Sequence, residues 1–211
     1  MVNRDFYDAI KKGTTTVGIV CSDGVAMGAD SRATMDTFIS SSEAVKVYGI
    51  NDGLAMTIAG GVGDAEYLVK LLKMQDEIYT MEEKRPLTPA SATSLLSLIL
   101  QENKAFPFYV QLVIGGMSKG SNEIYNIDPV GGYTKETRFT STGSGSLTAL
   151  GYLEGIYESG ITTSEAAKHI AKALKIAMKR DSATGDSTKI ITITKKGFKE
   201  FSREEIEKLV K

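Results

Sequence analysis

Apolar and polar positions along this chain fall into blocks of strand-like runs and blocks of helix-like runs, with no regular β-α alternation. The first strand-like run is Thr15 to Cys21, and the Asp23-Gly24 turn leads from it into Val25 to Asp30. Ala44 to Ile50 and Leu54 to Ala59 follow, joined by Asn51-Asp52-Gly53. Short turns of this kind between β-rich runs predict antiparallel pairs. Two helices come next. The first is expected over Asp64 to Glu83, with Leu68, Leu71 and Leu72 on its apolar side. The second opens with Thr88 as N-cap and Pro89 at the first helical position and continues through Leu95, Leu96 and Ile99.

The order then repeats. Strands are expected over Phe108 to Gly115 and Glu123 to Ile127, followed by a Gly/Ser/Thr-rich loop ending at Ser146. A second helical pair covers Leu147 to Glu158 and Ser164 to Lys179, the latter capped by Thr163 with Glu165 in its first turn. The strand Lys189 to Thr194 and a charged helix from Ser202 complete the chain. Blocks of strands followed by blocks of helices argue for an α+β class and against a doubly wound sheet. Two sheets face to face, each with a helical pair outside, bury both sheet faces and one stripe of every helix, so the expected architecture is a four-layer α/β/β/α sandwich.

Composition narrows the class of partner. The 211 residues are 42% hydrophobic and 24% charged, with 25 basic and 26 acidic side chains and a formal charge of −1. Neither a nucleic acid nor an anionic membrane is indicated by that balance. A single cysteine, Cys21, excludes an intrachain disulfide and reads as a core residue of the first strand. The first thirteen residues carry five charges and no continuous apolar stretch, so they read as neither secretory signal nor membrane anchor, and the expected location is cytoplasmic.

The candidate chemistry begins at Gly13-Thr14-Thr15-Thr16, where a glycine precedes a run of hydroxyls opening the first strand. An ordinary strand entrance reads this way, since threonine favours strands and glycine turns. So does a processing junction, because cutting between Gly13 and Thr14 leaves a free α-amine beside a threonine hydroxyl, a recognised way to activate that nucleophile. Asp30 and Lys46 each sit in or beside an apolar strand segment, where a lone charge is costly unless paired. They read as a structural ion pair or as parts of a site. Arg180 to Asp186 is a polar loop that brings an aspartate and two hydroxyls together. Gly60-Gly61-Val62-Gly63 fails the dinucleotide spacing because Glu66 stands at the final glycine position, and no phosphate loop is present. His169, the sole histidine, lies in a Lys/Ala-rich helix and reads as a boundary residue; a His-based triad and a zinc site both lack support, and neither metal nor cofactor is expected.

Taken together, the order and spacing of Gly13-Thr14-Thr15-Thr16-Val17-Gly18, Ala29 to Thr34, Lys46, Ile58 to Ala65, Ser141 to Ser146 and Arg180 to Gly185 resemble the catalytic β-subunits of the archaeal 20S proteasome, over nearly the whole chain. The resemblance implies an N-terminal nucleophile hydrolase fold and a threonine-type endopeptidase. Residues 1–13 would be a propeptide removed by self-cleavage at Gly13, and 14–211 the catalytic domain. Thr14 would be the nucleophile, Asp30 and Lys46 its charged partners, the Gly60 N–H the oxyanion donor, and Ser144, Asp181 and Thr184 the surroundings of the new amine. Thr184 departs from the serine common in the family but keeps the hydroxyl. Ala33, Thr34, Ala44 and Ile58 would line the pocket for the side chain before the cut bond, and small or apolar residues there favour cleavage after hydrophobic residues. Implied partners are other β-subunits in seven-membered rings, α-subunit rings, an ATP-dependent unfoldase, and unfolded polypeptides as substrate.

The chemistry is coherent on its own terms. A threonine hydroxyl needs a base within hydrogen-bond reach. An α-amine, with a reference pKa of ~7.7–8.0, serves near neutrality where lysine at ~10.4 does not. A cationic Lys46 lowers that amine further, and Asp30 keeps Lys46 charged. Threonine's methyl group restricts χ1 and orients Oγ. Two other readings stand beside this one: an inactive ring subunit, which typically lacks Gly13, Thr14 or Lys46, and another N-terminal nucleophile amidase or the two-ring bacterial relative, against which the propeptide and the 180–185 loop argue.

Overall fold

The computed structural model describes residues 13–35 and 37–210. The expected propeptide therefore lies outside the described residues except for Gly13. Strands β1 (Thr15–Val20) and β2 (Gly24–Asp30) form a tight antiparallel hairpin. β10 (Phe139–Gly143) pairs with the free edge of β1, β11 (Thr188–Thr194) with the free edge of β2, and β12 (Gly197–Glu200) closes the order β10-β1-β2-β11-β12. A second five-stranded sheet takes β5 (Val47–Asn51), β6 (Leu54–Gly60), β7 (Val110–Ser118), β8 (Ser121–Ile127) and β9 (Tyr133–Glu136) in chain order, every pair antiparallel. Between them in sequence, β3 (Ala33–Met35) and β4 (Phe38–Ser41) make a separate hairpin. The helices are α1 (Val62–Glu83), α2 (Pro89–Glu102), α3 (Ser146–Ile156), α4 (Thr163–Met178) and α5 (Arg203–Leu209).

Alternation along the strands sorts the core into three clusters. Val25, Met27 and Ala29 of β2 meet Ala55, Val113 and Ile124 of the second sheet. The intervening positions on β6 and β7, Met56, Ile58, Leu112 and Ile114, pack instead on Leu68 and Leu72 of α1 and Leu96 and Leu100 of α2. Val17 and Ile19 of β1 pack on Leu153 of α3 and Ile170 and Leu174 of α4. A period of two in the strands thus gives each sheet one face toward the other sheet and one toward a helical pair. Among the described residues, no helix is long and apolar enough to cross a membrane.

Four expectations need correction. Ala44 to Lys46 precede the strand, which starts at Val47; Lys46 O still accepts from Ile58 N–H of β6, while Ala44 N–H turns away and donates to Ser31 O, just past the end of β2. The β3–β4 hairpin was not anticipated, because its apolar residues are exposed and follow no alternation. The stretch before Ser146 holds β9 and β10 as well as loop; Thr140, Ser141 and Thr142 are buried, with Ser141 Oγ donating to Thr16 O and Thr142 Oγ1 sharing a hydrogen bond with Thr16 Oγ1. The cap of α4 is Thr162, one residue earlier than expected. Its Oγ1 accepts from Glu165 N–H while Glu165 Oε2 accepts from Thr162 N–H, a reciprocal box, and Thr163 is held by Asp23.

Candidate active site

Thr14 stands one residue before β1, where that strand's start lies between the end of β2 and the end of β10. It is 3% exposed. The register places Thr15 beside Asp30, and Thr15 N–H donates to Asp30 Oδ1 at 2.8 Å. Lys46 reaches in from the segment that enters the second sheet. Its Nζ donates to Asp30 Oδ1 at 3.0 Å, to Gly13 O at 3.0 Å and to Arg32 O at 2.5 Å. Asp30 Oδ2 accepts from the N–H groups of Arg32 and Gly185. Both charges of the pair are buried, and each is saturated with partners, the condition under which a buried pair is tolerated at all.

Burial sets the proton affinities of both. It pushes Asp30 above the ordinary carboxylate range, against the pull of Lys46 and of the Thr15 and Gly185 amides. It holds Lys46 below the ordinary lysine value, against the opposing pull of Asp30. In each case removal from water outweighs the partner's charge.

Thr14 Oγ1 donates to Gly13 O at 2.5 Å, so hydroxyl and carbonyl of the expected junction are in contact in the uncleaved chain. Gly13 has φ +96°, a conformation that L side chains rarely adopt, and a Cβ there would approach Thr34 Oγ1 to 2.7 Å. On the other flank, Thr14 N–H lies 3.4 Å from Ser144 Oγ. Ser144 Oγ and Thr184 Oγ1 both donate to Asp181 Oδ2 at 2.5 Å. Thr184 does not end on Thr14: its hydroxyl pairs with Thr15 Oγ1 at 2.7 Å.

A cavity of about 570 Å³ opens beside Thr14 and Lys46. Ala33, Thr34, Ala44 and Ile58 all line it, as does Gly60. Ile58 N–H donates to Lys46 O and Gly61 N–H to Tyr109 O, on opposite edges of β6. Strand alternation therefore directs the Gly60 N–H to the Lys46 side. The φ of Gly60 is +133°, and a Cβ there would meet Tyr109 O at 2.0 Å, so only glycine fits.

The structure thus brings Gly13, Thr14, Asp30, Lys46, Ser144, Asp181, Thr184 and the cavity-lining residues into one neighbourhood. Sequence reasoning passed over Thr15, Arg32, Tyr48 and Glu66. Tyr48 and Glu66 line the cavity, and Tyr48 was legible as the residue two positions after Lys46, on the same side of an extended chain. Thr15 was legible as part of the hydroxyl run. Arg32 meets Asp30 and Lys46 through its backbone N–H and carbonyl, which no side-chain pattern reveals. Cys21 is buried and its thiol is pushed up to about 12, chiefly by burial and then by Asp23, which leaves it inert as a nucleophile. His169 is half-buried between α3 and α4, paired with Tyr152 OH at 3.1 Å.

Comparison with known proteins gives the family of the chain. The sequence model described as Proteasome subunit matches residues 10–193. The chain is 45% identical over 204 residues to the proteasome subunit beta of Ferroglobus placidus, covering 97% of each chain. It is 44% identical over 203 residues to that of Archaeoglobus fulgidus, covering 96% of this chain and 95% of the relative. With that of Methanothrix thermoacetophila it shares 44% identity over 200 residues, covering 95% and 97%.

Proposed function

We propose, from the premise that this chain belongs to the proteasome subunit family as a β-subunit of the archaeal 20S type, that it is a threonine-type endopeptidase that activates itself. The observation that carries the reading is the contact of Thr14 Oγ1 with the Gly13 carbonyl, which also receives Lys46 Nζ.

Self-cleavage follows as an acyl shift. Thr14 Oγ forms a bond to the Gly13 carbonyl carbon, the C–N bond to Thr14 breaks, and the hydroxyl proton ends on the departing nitrogen. Water then hydrolyses the ester and releases residues 1–13. Lys46 polarises the carbonyl while the charge develops on its oxygen. In the mature domain, 14–211, the new amine takes the Thr14 hydroxyl proton as Oγ attacks a substrate carbonyl and passes it to the leaving amine as the C–N bond breaks; water then hydrolyses the acyl ester on Thr14 and restores the hydroxyl. The Gly60 N–H receives the oxyanion, Asp30 holds Lys46, and Ser144 with Asp181 and Thr184 holds the amine.

Ala33, Ala44 and Ile58, joined by Tyr48, favour a hydrophobic side chain before the cut bond. Alternating faces of the two sheets and the helical pairs support the four-layer N-terminal nucleophile hydrolase arrangement. The remaining parts of the reading are a cytoplasmic core particle of seven-membered β-rings between α-rings, fed with unfolded polypeptide by an ATP-dependent unfoldase. Intact-mass spectrometry tests the core of it: the wild-type chain should lose residues 1–13, and Thr14→Ala should retain them and hydrolyse no peptide. Normal processing of Thr14→Ala would remove the threonine from self-cleavage, and peptide hydrolysis by it would remove the threonine from catalysis.

A further inference from the structure

Arg32 is fastened at both ends of its side chain and backbone. Its Nε and Nη2 donate to the two carboxylate oxygens of Asp186, each at 3.0 Å, and Nη1 donates to Ser182 O at 2.8 Å. Its backbone N–H donates to Asp30, and its backbone carbonyl accepts Lys46 Nζ. We infer that Arg32, clasped by Asp186, is a positioning residue for Lys46: the clasp fixes the carbonyl from which the ammonium group is held. The inference rests on the threonine endopeptidase reading and goes beyond it, since neither Arg32 nor Asp186 lines the cavity.

Three observations carry it. The fork-to-fork geometry specifies an orientation as a point charge does not. Gly185 lies against the guanidinium so closely that a Cβ would come within 2.3 Å of it, and Asp186 takes the left-handed φ of +69° that aims its carboxylate back at the fork. Finally, Lys46 Nζ has three acceptors in the uncleaved chain, Asp30 Oδ1, Gly13 O and Arg32 O. Loss of Gly13 on processing removes one of these three, so the Arg32 carbonyl takes a larger share in orienting the ammonium group in the mature enzyme.

The charged groups facing Lys46 are Asp30 at the end of β2, Asp181 and Asp186 in the loop after α4, and the Thr14 amine once processing has occurred. Slackening the Arg32 carbonyl removes a hydrogen bond to the charged form, so Lys46 gives up its proton at lower pH. The test compares processed wild type with Asp186→Ala, Asp186→Asn and Arg32→Lys, with Arg138→Ala as the control, a surface ion pair with Glu154 remote from the site. Processing is checked by intact mass, and kcat and KM are followed against pH.

Asp186→Ala and Arg32→Lys should lower kcat between about ten- and a hundred-fold with KM little changed. Both should move the alkaline limb of kcat to lower pH. Asp186→Asn, which tolerates the left-handed backbone and keeps one acceptor, should lie between them and wild type; Arg138→Ala should match wild type. Arg32→Lys, which keeps both charges, decides: a processed Arg32→Lys whose alkaline limb stays in place overturns the inference, whether kcat is normal or reduced equally at all pH values, because a limb moved only in the Asp186 variants is the lost carboxylate charge acting on Lys46 directly. If Asp186→Ala does not fold, Asp186→Asn supplies the comparison, and Arg32→Lys still decides by the limb. Activity surviving in Thr14→Ala defeats the underlying reading and the inference with it; an inert Thr14→Ala beside an active wild type leaves the clasp to be judged on the limb alone.

Discussion

Thr14 offers the same nitrogen in two states, an amide before cleavage and an amine after it, and the second state has a definite pH signature. The amine will lie near cationic Lys46, so it should titrate below the ~7.7–8.0 of a free α-amine. Activity should rise with pH through that depressed value. Lys46 must stay protonated to do its electrostatic work, and burial holds it below the ordinary lysine value. Activity should therefore fall again as pH rises through that lowered value, below ~10.4. The profile of kcat/KM in processed enzyme should be a bell whose two limbs are unmoved by His169→Gln. An acidic limb that disappears with His169 would transfer the base to that side chain, and an alkaline limb at the ordinary lysine value would remove Lys46 from the mechanism. At this scale the chain was legible where a residue type was out of place: a lone cation before Val47, a carboxylate ending an apolar strand, a glycine before three threonines. Arg32 was not, because an arginine in a loop is ordinary until the fold brings Asp186 to it.

Secondary-structure elements carry local signals of unequal strength, and α2 shows a strong one with a flaw inside it. Thr88 and Ser91 form a reciprocal cap, and Pro89 opens the helix. On the buried face, Thr93 is 0% exposed, and its Oγ1 finds no hydrogen-bond partner among the described residues. Leaving a buried hydroxyl unpaired costs about 1–3 kcal/mol, while valine has the same shape without the hydroxyl. Thr93→Val should therefore raise stability by roughly 1 kcal/mol. Urea unfolding midpoints at unchanged slope measure it, and an equal or lower midpoint would mean that the hydroxyl is satisfied in solution. The same contrast explains which elements were readable. Long runs with period two or a cap and a proline were found within two or three residues. β10 was missed because Phe139-Thr-Ser-Thr-Gly143 has a loop composition, yet the hydroxyls of Ser141 and Thr142 are paired with Thr16 of β1, and that of Thr140 accepts from Asn126 of β8. The α4 cap was misplaced between two adjacent threonines, where Glu165 three residues after Thr162 was the deciding signal.

For the whole molecule, the near-zero formal charge gives no net attraction for a partner of either sign, which directs attention to exposed apolar surface. Scattered exposed apolar residues need no explanation. The β3–β4 hairpin is different, because Met35, Phe38 and Ile39 are exposed together, with Phe38 at 69%. Met35 also lines the cavity beside Thr14. A neighbouring subunit covering this hairpin would bury its apolar surface and brace one wall of the site at once. Ring assembly, proposed from the family, then has a physical link to activity: the processed chain in a large complex should be a competent peptidase, and the same chain as a monomer a poor one. Size-exclusion chromatography with light scattering, each fraction assayed on a peptide with a hydrophobic residue before the cut bond, measures both properties on one sample. Specific activity should follow the high-mass peak. Full activity in a monomer peak of processed chain would show that the cavity wall stands without a neighbour and that assembly serves only to confine the substrate.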